Sequence, residues 1–119
     1  MKRKPEALLP LTPPMFQVLI ALADGEKHGY AILKEVARRT EGAVSLGTAT
    51  LYAVLRRFVA DGVLAESAAR PAAALDDERR RYFRLTDHGR RVAAAEAGRM
   101  EKALAMARSK NLVRKPRLA

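Results

Sequence analysis

Thr48, Thr50, Tyr52 and Arg56 stand close together in the segment GTATLYAVLRRFVADGVL, residues 47–64. Three of them carry hydroxyls and the fourth a guanidinium, groups that hydrogen-bond phosphate oxygens and the edges of bases. Arg57 adds a second cation beside Arg56. At the helical period, Leu51, Val54, Leu55 and Phe58 fall on one side, and Ala49, Tyr52, Ala53, Arg56 and Ala60 on the other. The second face is flat and small, with a few long polar side chains. Such a surface suits a major groove, where bulk would hold the helix away from the bases. Two plainer readings stay open: Thr48 as a helix cap and Arg56 as a solvated surface residue.

A second group of cations lies in RRRYFRLT, residues 79–86, where Arg79, Arg80, Arg81 and Arg84 flank or interrupt an alternating apolar pattern. Asp76, Asp77 and Glu78 precede them. The hairpin is therefore either a solvated loop paired with its own acids or a contact to phosphates and the minor groove. His28 and His88 are the two imidazoles. With no cysteine in the chain, they make no persuasive metal site, and disulfides are excluded. No serine has a histidine and an acid in a nucleophile context, and no glycine-rich phosphate loop exists. Neither catalysis nor a cofactor is expected.

The net charge of +10 is unevenly spread. Residues 1–14 carry +2, residues 15–67 balance to zero, residues 68–85 carry +2 and residues 86–119 carry +6. Excess positive charge attracts polyanions. Here it collects in an N-terminal arm, a hairpin and a tail rather than over the whole surface. With 119 residues, the chain has material for one core and no large substrate cavity. No apolar run approaches the roughly 20 residues needed to cross a bilayer, so no membrane partner is expected. The opening MKRKPEALLPLTPP is too broken by proline for a secretory signal, which makes the cytoplasm the expected location.

The elements that must hold these residues follow from periodicity and caps. A first helix starts at Thr12-Pro13-Pro14 and is apolar nearly all round, including Phe16 and Leu19; Asp24-Gly25 ends it. A second covers residues 28–40, with Ile32, Leu33, Val36 and Ala37 inward and Lys34, Glu35, Arg38 and Arg39 outward. A third covers residues 48–60 and stops at Asp61-Gly62. Strands follow at residues 63–66 and 80–85, around an alanine-rich loop at residues 67–78. Alternation points Phe83 and Leu85 at the core and leaves Tyr82 and Arg84 outside. Thr86 caps a last helix running to about residue 108, whose stripe of Val92, Ala93, Ala97, Met100, Ala103, Leu104 and Ala107 is interrupted by Glu96. No later element is available to bury that stripe, which points to a partner subunit. The expected class is mainly α with a small β-hairpin: a winged helix-turn-helix at residues 11–86, a basic arm at 1–10, a dimerisation helix at 87–108 and a basic, disordered tail at 109–119.

Three segments resemble the PadR family of bacterial transcription regulators, in its short form with a single C-terminal helix. They are LIALADGEKHGYAILKEV, GTATLYAVLRRFVADGVLAE and RRRYFRLTDHGRR, in the family's order and spacing, and the match they carry extends over roughly residues 11–104. The resemblance implies a homodimer on double-stranded DNA, joined where the last helix packs on the partner's first helix. Phe16, Leu19, Val92, Met100 and Leu104 would line that interface. It also implies DNA-facing positions for Tyr30, Thr48, Thr50, Tyr52, Arg56 and Arg81, to which the neighbouring Arg57 and Arg80 are added as expected DNA contacts. Ala53 stands where the family usually has proline, Phe58 where it has leucine, and Glu78 where it has glycine. A small-molecule effector is a further partner the family allows. Some members hold aromatic compounds with tryptophan at the dimer interface, a residue this chain lacks.

Two functions are compatible with these features. One is a sequence-specific transcriptional regulator, a repressor on a pseudo-palindromic operator. The other is a winged helix used for protein contact or for non-specific coating of nucleic acid.

Overall fold

The computed structural model describes residues 3–67 and 81–114. A single 3-10 turn, Pro5–Leu8, precedes α1, Pro13–Ala21. Then come β1 (Lys27–His28), α2 (Gly29–Arg39), α3 (Thr48–Ala60), β2 (Leu64–Glu66), β3 (Tyr82–Leu85) and α4 (Asp87–Ser109). Residues 68–80, which hold the expected loop from residue 68 onward with Asp76, Asp77 and Glu78 and then Arg79 and Arg80, fall outside the described residues, as does the end of the basic tail.

Local chemistry accounts for most element boundaries. Thr12 caps α1, its hydroxyl accepting the Met15 N–H at 3.3 Å. α1 ends earlier than expected, at Ala21, and a turn through Asp24 follows. His28 caps α2, its Nδ1 accepting the Ala31 N–H at 3.2 Å. α3 closes on Gly62, whose φ of 74° lies in the left-handed region. The Gly62 and Val63 amides then return to the carbonyls of Val59 and Phe58.

The sheet is antiparallel in the order β1-β3-β2. Leu64 pairs with Leu85 and Glu66 with Phe83 across the wing. The third strand is an addition to the expected hairpin: Lys27 and His28 pair with Phe83 and Tyr82. Two residues are too few to show a strand period in sequence.

All three helices of the first half meet in one core. Val18 and Leu19 of α1, Ile32 and Val36 of α2, and Leu51, Leu55 and Phe58 of α3 are buried with Val63, Leu64, Phe83 and Val92. Leu19 and Val92 face the interior of the chain, where α4 packs over α1 and closes the core.

Glu35 was expected outside and is buried. Arg39 Nε binds its carboxylate at 2.9 Å, and Lys27 Nζ lies 3.6 Å away. Lys27 also donates to the Ala21 carbonyl at 2.6 Å, so this cluster ties the end of α1 to the face of α2. Glu96, which interrupts the stripe of α4, is buried for a similar reason. Its Oε2 accepts the Leu11 N–H at 2.8 Å, and Arg99 donates to both of its oxygens. The chain at the foot of the arm thus docks on α4 through a carboxylate, and the Arg99 guanidinium holds the Glu96 pKa below its ordinary value.

Candidate nucleic-acid interface

α3 divides cleanly. Leu51, Leu55 and Phe58 anchor it in the core, while Thr48, Ala49, Thr50, Ala53, Arg56, Arg57 and Ala60 are exposed. Gly47, not Thr48, occupies the cap position, and it offers no side-chain bond. Thr48 is the first helical residue, so capping does not account for its hydroxyl. Among the described residues, neither the hydroxyls of Thr48 and Thr50 nor the guanidiniums of Arg56 and Arg57 have a partner. Donors and acceptors are therefore arrayed along one helix with no internal use.

The other expected contact residues divide into three situations. Tyr30 is 58% exposed at the start of α2, with Lys34 Nζ 4.7 Å from the centre of its ring. Arg81, at the foot of the wing, lies with Nε 3.3 Å from Oε1 of Glu66, an exposed pair that a phosphate could displace at little cost. Arg80 falls outside the described residues. Tyr52 is half-buried, packed against the core and over Gly29 at the beginning of α2.

Thr86 joins the end of α3 and the wing to the long helix. Its hydroxyl accepts the Gly89 N–H at 2.9 Å and lies within hydrogen-bond reach of the Gly62 and Val63 carbonyls, at 2.6 and 2.9 Å. Arg90 donates to the carbonyl of Ala23 at 3.0 Å, tying α4 to the turn that follows α1. Beyond Glu96, α4 is exposed from residue 97 to residue 109, save for half-buried Ala107. Met100, Leu104 and Met106 are 46%, 41% and 64% exposed, and Leu112 just past the helix is 77% exposed. Phe16 of α1 is half-buried. Met106 and Leu112 lie off the stripe legible in the sequence, so the apolar surface is broader than that stripe.

The family model for the PadR-like transcriptional regulators matches residues 18–95, from the middle of α1 through the first third of α4. The chain belongs to this family. No curated protein matches it. Among solved structures, a transcriptional regulator from Clostridium thermocellum superposes with a TM-score of 0.67 at 21% identity, covering 81% of this chain and 87% of its own. A PadR family transcription regulator from Clostridium difficile R20291 has the same TM-score at 17% identity, with 82% and 97% covered. RosR from H. salinarum gives 0.58 at 23% identity, with 81% and 76% covered. At these identities the likeness is one of fold.

As a PadR-like regulator the protein is a DNA-binding transcription factor and not an enzyme. The HGY and Thr-x-x-Gly segments that carried the resemblance acquire physical roles here. His28 caps α2, Gly29 receives Tyr52, and Thr86 and Gly89 lock α4 to the wing. Among the described residues, no group of three or more His, Cys, Asp or Glu side chains is placed to hold a metal. No helix there is long and apolar enough to cross a membrane.

Proposed function

We propose that the protein is a sequence-specific repressor that binds a pseudo-palindromic operator as a homodimer. The observation that carries this reading is the outward face of α3, where the Thr48 and Thr50 hydroxyls and the Arg56 and Arg57 guanidiniums, without partners among the described residues, stand among alanines on a helix anchored by Leu51, Leu55 and Phe58. In a helix-turn-helix the second helix enters the major groove and its N-terminal residues meet the bases. Thr48 and Thr50 are at that end, and Arg56 and Arg57 are within reach of a guanine or the backbone. Tyr30, Arg80 and Arg81 supply flanking backbone contacts.

The dimer reading is supported by Met100 and Leu104, exposed and one helical turn apart on α4. Phe16 remains available on α1 to meet the partner's helix, while Leu19 and Val92 support the same interface from beneath. Two copies place two α3 helices on one duplex, which is why a pseudo-palindrome is the expected target. Repression asks least of such a body, since occupying the site is enough to occlude a promoter. A small-molecule effector would act by changing the relation of the two α3 helices.

Selection of binding duplexes from a random pool, followed by genomic footprinting of the tagged protein, tests the reading. A specific regulator binds its selected operator about 10³-fold or more tighter than scrambled duplex. A ratio near one would identify a coating protein instead, and footprints inside transcribed regions without effect on expression would remove the repressor role.

A further inference from the structure

Tyr52 lies on the face of α3 assigned to DNA, yet the structure gives its ring another occupation. A Cβ built on Gly29 would lie 2.6 Å from the Tyr52 hydroxyl oxygen and 3.0 Å from the ring carbon that bears it. The phenol thus fills the space a side chain at residue 29 would need. Leu51 closes the same spot from α3, its Cδ2 3.5 Å from that Cβ position. Gly29 is the first residue of α2 and is buried, whereas Thr48, Ala49, Thr50, Ala53 and Arg56 around Tyr52 are exposed. The first turn of α2 and the reading helix therefore meet through this ring.

We propose that Tyr52 is a positioning residue, whose phenol seated over Gly29 sets the spacing of α2 and α3 and hence the depth at which Thr48, Thr50 and Arg56 meet the bases. The inference rests on the DNA-reading role of α3 given above. Close-packed contacts have little slack, so material added at the seat must displace the Tyr52 ring or the helix that carries it. Hydrogen bonds to base edges hold over only a few tenths of an ångström, whereas long cations on phosphates adjust. Disturbing the seat should therefore lower discrimination between sequences more than it lowers affinity for duplex in general.

The test uses the full chain, the duplex selected by the wild-type protein and a scrambled duplex of equal length. Tyr52→Phe keeps the ring, and its operator-to-scrambled ratio should stay within about threefold of wild type. Gly29→Ala brings a methyl into the ring and should lower that ratio at least tenfold, at a temperature where circular dichroism shows the variant folded. The double variant Gly29→Ala/Tyr52→Ala should match Tyr52→Ala alone, because the methyl then has room. If Gly29→Ala is too unstable to assay, recovery of its folding by Tyr52→Ala reads the same contact. The proposal is overturned if Tyr52→Phe loses as much as Tyr52→Ala, because the bonding of the hydroxyl and not the seated ring would then carry the effect. It is equally overturned if Gly29→Ala keeps the wild-type ratio, or if its defect persists in the double variant. A wild-type ratio near one would instead remove the specific-regulator reading itself.

Discussion

Gly89 of α4 lies so close to Val63 that a Cβ on it would stand 2.1 Å from the Val63 carbonyl oxygen and 2.8 Å from Leu85 Cδ1. That oxygen already accepts the Thr86 N–H at 3.1 Å, so the start of α4 and the start of the wing share one carbonyl. The dimerisation helix proposed here thus follows the wing as a rigid extension.

Gly89→Ala should be strongly destabilising, because the methyl meets backbone rather than a flexible side chain. A loss of about 3 kcal/mol or more is expected, at the upper end for overpacked sites. Chemical denaturation monitored by circular dichroism measures it. A loss below 1 kcal/mol would mean that α4 can move off the wing at small cost.

Glu96→Ala should strand the Leu11 N–H and release the arm, costing about 1–3 kcal/mol. Glu96→Gln keeps an acceptor for Leu11 and should cost less. The Arg99 guanidinium depresses the folded pKa of Glu96 below its ordinary 4.5. The stabilisation is therefore complete above pH 4.5 and is lost as pH falls through the lower folded value. Unfolding free energies measured from pH 7 to pH 3 should show a shallower acid decline for Glu96→Gln than for wild type; superimposable slopes would contradict this role.

Replacing both Met100 and Leu104 with Glu should give a folded monomer, since both side chains are exposed in the single chain. Binding to the full operator should drop towards that of one half-site. Light scattering reads the mass, and an unchanged dimer would place the interface elsewhere on the surface.

Arg56→Ala removes an exposed guanidinium without a partner among the described residues, so the fold should be little affected. If Arg56 reads a base, specific binding weakens by about 1–3 kcal/mol and preference relaxes at one position of each half-site. If it touches phosphate alone, all duplexes weaken alike and the logarithmic salt slope becomes shallower by about 0.9 for each half-site occupied. Titrations at several salt concentrations separate the two, and a variant equal to wild type on both measures would exclude Arg56 from the interface.

What the sequence determined by itself is local. The bounds of α3 at Thr48 and Ala60, the caps at Thr12 and Thr86, and the wing strands were legible because helical period, strand alternation and cap chemistry act between near neighbours. The inward face of α3 was read correctly for the same reason. The tertiary structure decided which side of a helix already apolar all round, or of a mixed stripe, would be covered, and by what. Leu19 and Val92 turned inward because α1 and α4 cover one another. Glu35 went inside because Lys27 and Arg39 meet it there. β1 exists only through its pairing with β3, and Tyr52 found its seat on a glycine in another helix. Glu96 is the clearest case: its partner Leu11 is 85 residues away, and a carboxylate that breaks an apolar stripe is buried only once the fold brings that amide to it.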